Sequence, residues 1–245
     1  RKESSAASDV YKRQLLRQGK ISKWFSGIGQ EAISVGSTLA MNTNEYILPM
    51  HRNLGVFTSR NIPLDRLFAQ FQGKHTGYTQ GRDRSFHFGV KEHFIIGMIS
   101  HLGSQLSVAD GIALKHLLEK EEKATLVFSG EGGTSEGDFH EALNVASVWN
   151  LPVIFVIENN GYSISTPAYE QYNFDSFVSK GEAYGMEAIS IDGNNVLEVY
   201  ATIDEKSKEI RKKPRPILIE MKTFRMRGHE AVSYTHLRAH ETRHD

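Results

Sequence analysis

Two apolar runs, at 124–128 and 151–157, constrain the fold of this chain more than any other feature. Each is short and uniformly apolar, and the second is rich in β-branched residues after Pro152, so both read as buried strands. Between them, 136–149 carries a helical pattern, and the alternation continues on both sides. Residues 104–119 predict a helix with Leu106, Ala109, Ile112, Ala113 and Leu117 on its apolar side. Residues 196–212 predict a long amphipathic helix halted by Pro214, and 216–221 another strand. Strands alternating with helices of this length imply an α/β fold, a doubly wound, mostly parallel sheet with helices on both faces. Ligands of such a sheet sit at the carboxyl ends of its strands. With 245 residues and no internal repeat, Pro-rich linker or low-complexity stretch, one large domain is expected.

Composition narrows the partners. Lysine plus arginine equals aspartate plus glutamate at 29 each, so no basic excess draws the chain to nucleic acid or to an anionic membrane. No apolar run approaches the roughly 20 residues needed to cross a bilayer, and no signal-peptide pattern opens the chain. The absence of cysteine removes disulfides, thiolate catalysis and cysteine metal sites. It fits a reducing compartment, a bacterial cytoplasm first and a mitochondrial matrix second.

Both ends read as foreign to this pattern. Asp9-Val10-Tyr11-Lys12-Arg13-Gln14 can be encoded by a string whose complementary strand, in a shifted frame, gives Val232-Ser233-Tyr234-Thr235-His236-Leu237. These strings resemble transposon adapters of sequencing libraries. Residues 1–14 and 231–245 are therefore expected to be adapter read-through around a truncated native domain at 15–230. The tract His236, His240, His244 then carries no metal-binding meaning, and raw reads lacking those oligonucleotides would refute the expectation.

The chemistry concentrates at two strand ends. The first apolar run leads into Gly130-Glu131-Gly132-Gly133-Thr134-Ser135-Glu136-Gly137, and the second ends in Glu158-Asn159-Asn160-Gly161-Tyr162. Glycines let backbone N–H groups approach a phosphate, and the following helix is expected to aim its positive N-terminal dipole at the same place. Glu131 would repel a naked diphosphate. A carboxylate with an amide oxygen is instead a hard-oxygen set suited to a magnesium ion bridging the phosphates. A dinucleotide fingerprint would need glycines at 130, 132 and 135, but position 135 is serine. The competing structural reading is a turn-rich strand–helix–strand unit with Glu131 as a solvated loop acid.

A Gly-Glu-Gly element followed 29 positions after Glu131 by Asn160, the second asparagine of an Asn-Asn pair, resembles the thiamine diphosphate motif. Further strings resemble successive elements of 2-oxo acid dehydrogenase α chains, in that family's order. They are Gly29-Gln30-Glu31-Ala32 through Val35-Gly36-Ser37, His51-Arg52, Arg84-Ser85-Phe86-His87, Ser100-His101-Leu102 and Thr223-Phe224-Arg225-Met226-Arg227-Gly228-His229. The resemblance implies a thiamine-diphosphate-binding fold in which Glu131 and Asn160 ligate magnesium by side chain and Tyr162 by its carbonyl. It implies diphosphate contacts from Arg52 and His51, cofactor contacts from Ser100, Gly132, Gly133 and Ile164, and a hydrophobic wedge at Leu102 that bends the cofactor. His87 would lie at the substrate end, and His229 would be the active-site histidine that also helps hold the diphosphate. The ordinary alternatives are a surface ion pair for Arg52, core packing for Leu102, a structural histidine for His87 and a solvent-facing one for His229. Animal relatives carry a phosphorylatable serine after that histidine; the residue here is Glu230, so kinase control at this position is not expected.

The same resemblance implies the reaction, decarboxylation of a 2-oxo acid with acyl transfer to a lipoyl-bearing acyltransferase core. It also implies a β subunit or fused β half that supplies the glutamate activating the aminopyrimidine, without which the chain is inactive. For the substrate, Tyr162-Ser163-Ile164-Ser165-Thr166-Pro167 with Glu170-Gln171-Tyr172 resembles branched-chain enzymes, whereas Glu158 resembles pyruvate enzymes. Many branched-chain enzymes carry there an arginine touching phosphate. The longer segment favours a branched-chain acid, with pyruvate or acetoin dehydrogenase as the alternative. Rivals of other classes are a nicotinamide dehydrogenase, which fails on glycine spacing and Glu131, and a noncatalytic scaffold.

Overall fold

A computed structural model of the chain describes residues 5–21, 25–83 and 87–230. The segment Arg84-Ser85-Phe86 and the expected C-terminal adapter lie outside the described residues. In chain order the elements begin with α1 (Ser5–Arg17), α2 (Glu31–Ala40), β1 (Ile47–Leu48), α3 (Leu54–Ser59), α4 (Leu64–Phe71) and α5 (Ser104–Leu118). Then come β2 (Thr125–Gly130), a 3-10 turn at Glu131–Ser135, α6 (Gly137–Trp149), β3 (Val153–Asn159) and the short strands β4 (Tyr162–Ser163) and β5 (Thr166–Pro167). The chain continues through α7 (Val178–Ala183), β6 (Glu187–Asp192), α8 (Val196–Lys212) and β7 (Ile217–Lys222).

Five strands form one sheet in the order β1-β2-β3-β7-β6, and every pairing in it is parallel. Alternate side chains of the central strands enter two separate cores. Leu126, Phe128, Ile154, Val156, Ile217 and Ile219 pack with residues of α2, α3, α4 and α8 on one face. Val127, Val153, Phe155, Ile157 and Leu218 pack with residues of α5 and α6 on the other. This two-sided burial is why β3 reads as a continuous apolar run instead of an alternating one. Each such side chain removed from water contributes roughly 1.5–3 kcal/mol before entropy is counted. The doubly wound α/β architecture expected from the alternation is present.

The sequence reading missed the two outer strands, β1 and β6, and the strands it found differ mainly at their carboxyl ends. β2 runs on through Ser129 and Gly130, and β3 through Glu158 and Asn159. Hydrophobicity stops two residues early in each because the ladder bonds are main-chain bonds, and Gly130 still pairs with Glu158. These polar extensions carry the site. No helix among the described residues is long and apolar enough to cross a membrane.

Candidate active-site cleft

Four neighbouring strands, β1, β2, β3 and β7, end on the same edge of the sheet, and each hands the chain directly to a segment lining one cleft. β1 leads to Met50, His51 and Arg52; β2 to Gly130 through Gly133; β3 to Asn160 and Tyr162; and β7 to Arg225 and His229. The register fixes their relative heights, since Gly130 lies opposite Glu158 and Asn159 opposite Lys222. The cleft has a volume of about 510 Å3. Every residue singled out from the sequence borders it: Glu131, Gly132, Gly133, Asn160, Tyr162 and Ile164 along the two central tips, together with His51, Arg52, His87, Ser100, Leu102 and His229.

Glu131 opens the 3-10 turn and is 2 % exposed, with its Oε1 lacking any hydrogen-bond partner. Burial pushes its carboxyl up to about 7, opposed by main-chain N–H groups of Glu131, Tyr162 and Asn160 and by the charge of Arg225. A buried carboxylate oxygen without a donor costs on the order of 1–3 kcal/mol. Beside it, Asn160 is buried, and its Oδ1 accepts the Tyr162 N–H at 3.1 Å. An amide oxygen has a second lone pair to offer. Among the described residues no group of three or more His, Cys, Asp or Glu could hold a metal. A cation beside Glu131 and Asn160 would meet a carboxylate and an amide oxygen, a donor set that suits a hard ion.

The glycines of the turn answer to space. A Cβ at Gly132 would stand 2.2 Å from Ser163 Oγ, and one at Gly133 2.8 Å from Ser129 Oγ. The helix α6 itself does not line the cleft. The 3-10 turn stands between them, and backbone of Glu131, Gly132 and Gly133 takes that place.

Positive charge gathers at the β1 and β7 ends. Arg52 is buried and donates to Ser26 O at 2.9 Å and to His229 O at 2.8 Å, with Nη2 also 3.2 Å from His229 Nδ1. Arg225, also buried, donates to the Ile164 carbonyl at 2.6 Å and brings Nη1 to 3.4 Å from the same Nδ1. Guanidinium groups only donate, so His229 Nδ1 accepts and its proton resides on Nε2. Burial first, then Arg52 and Arg225, lower the His229 pKa to about 4. His51 is likewise held well below its usual range by burial and by Arg52. The rings of Phe25, His51 and His229 pack mutually, with centroids 4.6 to 5.9 Å apart.

Also lining the cleft, His87 Nε2 and Ser100 Oγ share a hydrogen bond of 2.6 Å, and Asp83 lies 4.0 Å from His87 Nδ1. Leu102 is 47 % exposed and Ile164 61 % exposed, two apolar side chains open to the cleft. Ile164 begins the turn of the β4–β5 hairpin at φ +56°, a left-handed conformation that a β-branched residue enters only under strain.

Sequence reasoning assigned no role to Gln30, Asn53, Glu158 or Arg225. Glu158 is fully buried, and burial pushes its carboxyl up to about 7 against hydrogen bonds from Asn53 and Gln30 and the charge of Arg52. Gln30 and Arg225 sit inside strings already recognised as motif elements, which was the available signal; Asn53 directly follows another.

The sequence model described as dehydrogenase E1 component matches residues 4–237. The chain is 38% identical over 217 residues to 2-oxoisovalerate dehydrogenase subunit alpha 1, mitochondrial, of Arabidopsis thaliana, covering 89% of this chain and 46% of that protein. It is 36% identical over 217 residues to the mitochondrial 2-oxoisovalerate dehydrogenase subunit alpha of Homo sapiens, covering 89% and 48%. The Caenorhabditis elegans protein of that name is 38% identical over 218 residues, covering 89% and 50%. The chain thus spans about half the length of the curated relatives it matches. With a matching family model over nearly its whole length and a cleft lined by the motif residues, the chain belongs to the dehydrogenase E1 component family.

Proposed function

We propose that this chain is the α part of a thiamine-diphosphate-dependent 2-oxo acid dehydrogenase acting on a branched-chain 2-oxo acid. The observation that carries the proposal is the orphaned Oε1 of Glu131, buried at a strand tip beside Asn160. A magnesium ion held by Glu131, Asn160 and the Tyr162 carbonyl would remove the cost of that orphan and leave coordination positions for a diphosphate. Gly132 and Gly133 let the turn pack directly against Ser163 and Ser129, and Arg52 and Arg225 add positive charge in the same cleft. Bound thiamine diphosphate would supply the electron-accepting thiazolium that makes loss of carbon dioxide possible.

The remaining residues would bind and orient. His229, neutral with its proton on Nε2, offers a hydrogen-bond donor to an oxygen in the cleft. Leu102 and Ile164 give apolar walls that exclude water, and the His87–Ser100 pair offers polar contacts to a substrate. The mapping of these roles rests on the motif likeness of the residues and on their common cleft. A β subunit or fused β half is the proposed source of the group that activates the cofactor, and a lipoyl-bearing acyltransferase core the proposed acyl acceptor. The compartment proposed is a reducing one, a bacterial cytoplasm or a mitochondrial matrix, in keeping with a chain without cysteine.

Calorimetric titration tests the cofactor reading. Thiamine diphosphate should bind saturably only with magnesium present. Glu131→Ala should weaken that binding by about 100-fold or more, beyond the 10–100-fold typical of outer-shell partners. Binding that ignores magnesium, or NAD binding in its place, would end the proposal. For the substrate, the reconstituted complex should turn over 3-methyl-2-oxobutanoate in preference to pyruvate, and the isolated chain should turn over neither. A strong pyruvate preference would shift the assignment to the pyruvate or acetoin enzymes, the reading that Glu158 favours.

A further inference from the structure

Glu158 lies at the tip of β3, fully buried, two residues before Asn160, and none of the binding roles above uses it. Each of its oxygens is taken by a primary amide. Gln30 Nε2 donates to Oε2 at 3.0 Å, and Asn53 Nδ2 donates to Oε1. Both amides are held at their other ends as well. Gln30 Oε1 accepts from Asn160 Nδ2 at 3.3 Å, and Asn53 Oδ1 accepts the Met50 N–H at 2.6 Å. Beyond Asn160, the Tyr162 N–H donates to Asn160 Oδ1. One unbroken chain of hydrogen bonds therefore converges on Glu158 from two sides. One arm starts at Tyr162 and passes through Asn160 and Gln30, and the other starts at Met50 and passes through Asn53.

A primary amide can turn over with almost no change of shape, exchanging its donor for its acceptor. The ends of this chain cannot. A main-chain N–H only donates, and a carboxylate only accepts. We infer that Glu158 is a positioning residue that, together with the Tyr162 N–H at the far end, holds the direction of the chain, so that Asn160 presents its oxygen and not its nitrogen to the bound cation. Its second arm ties the loop bearing His51 and Arg52 to the same anchor. The inference rests on the reading of Glu131 and Asn160 as a cation site. An amide NH2 group facing a cation would repel it, so the direction matters greatly to the metal and very little to packing.

Glu158→Gln keeps the shape but leaves only one acceptor for two amide donors, so one arm must reverse or break. In the full-length protein in its native assembly, the magnesium concentration that half-saturates thiamine diphosphate binding should rise by about tenfold or more, as for outer-shell partners of other metal ligands. The decisive variant is the swap Gln30→Glu with Glu158→Gln. There the amide at position 158 donates to a carboxylate at position 30, which still accepts from Asn160, and its oxygen still accepts from Asn53. The swap should return the magnesium requirement to within about threefold of the parent, which a loss of packing would not do. Unchanged magnesium dependence in Glu158→Gln, or a swap no better than the single variant, overturns the positioning role. A parent protein that binds thiamine diphosphate without magnesium overturns the underlying cation site first and this inference with it. Melting temperatures confirm that the three proteins are equally folded.

Discussion

Glu45 and Glu131 are almost equally hidden from water, at 0 % and 2 % exposure, yet the fold treats their carboxylates in opposite ways. Glu45 receives Arg211 through Nε and Nη2, both at 2.7 Å, together with the main-chain N–H groups of Ala124 at 2.7 Å and Asn42 at 2.9 Å. Its four donors pin α8 and the start of β2 to the turn before β1. Glu131 keeps one oxygen with no donor at all and opens into the cleft. A buried charge with every acceptor filled holds structure together, whereas one left short is costly until something arrives to fill it. Asp110, buried in α5 with Oδ1 likewise lacking a partner, shows the same shortage but does not line the cleft.

The contrast can be broken experimentally, beginning with its strongest member. Glu45→Ala should destabilise the fold by roughly 3–5 kcal/mol in urea unfolding, because it strands Arg211, whose side chain is only 12 % exposed. A loss below about 1 kcal/mol would remove the structural half of the comparison. Asp110→Asn should act through pH. Burial raises the Asp110 carboxyl from 3.8 to about 8, so between those values the folded state holds a proton that the unfolded chain has released. Stability from this group is present at acid pH and declines as pH climbs toward 8. The variant should therefore flatten that decline and be the more stable protein at alkaline pH, as thermal melts across the range would show. Glu131→Gln should stabilise the metal-free protein by roughly 1 kcal/mol near neutral pH, by neutralising an undersatisfied acid. It should also abolish the rise in melting temperature that magnesium and thiamine diphosphate give the parent. At the small end, Lys208→Ala removes an exposed pair with Asp204 on α8 and should change stability by no more than about 0.5 kcal/mol.

The sheet was legible because burial on both faces makes strands apolar without interruption, as β3 shows. β6 was not, since Glu187–Asp192 is an edge strand of half-buried and exposed residues with no clear period. In the cleft, residues announced by local spacing could be named from sequence, Glu131 with Asn160 above all. Their supporting partners could not be. Glu158 joins Gln30 across 128 positions and Asn53 across 105, and nothing local in either segment encodes that meeting. The strain at Ile164 was equally hidden, because a two-residue turn would ordinarily call for glycine there.

The strand order has a consequence for how the protein is made. Among the described residues, β7 is the last strand in chain order but lies between β3 and β6, and no other strand pairs with β6. During synthesis the edge of β3 must wait, unpaired, until Ile217–Lys222 has left the ribosome. Only then can the segment bearing Arg225 and His229 meet the tips of the earlier strands. A nascent chain stalled before residue 217 would expose the flank of its most apolar strand, an invitation to aggregation and a natural client for a chaperone.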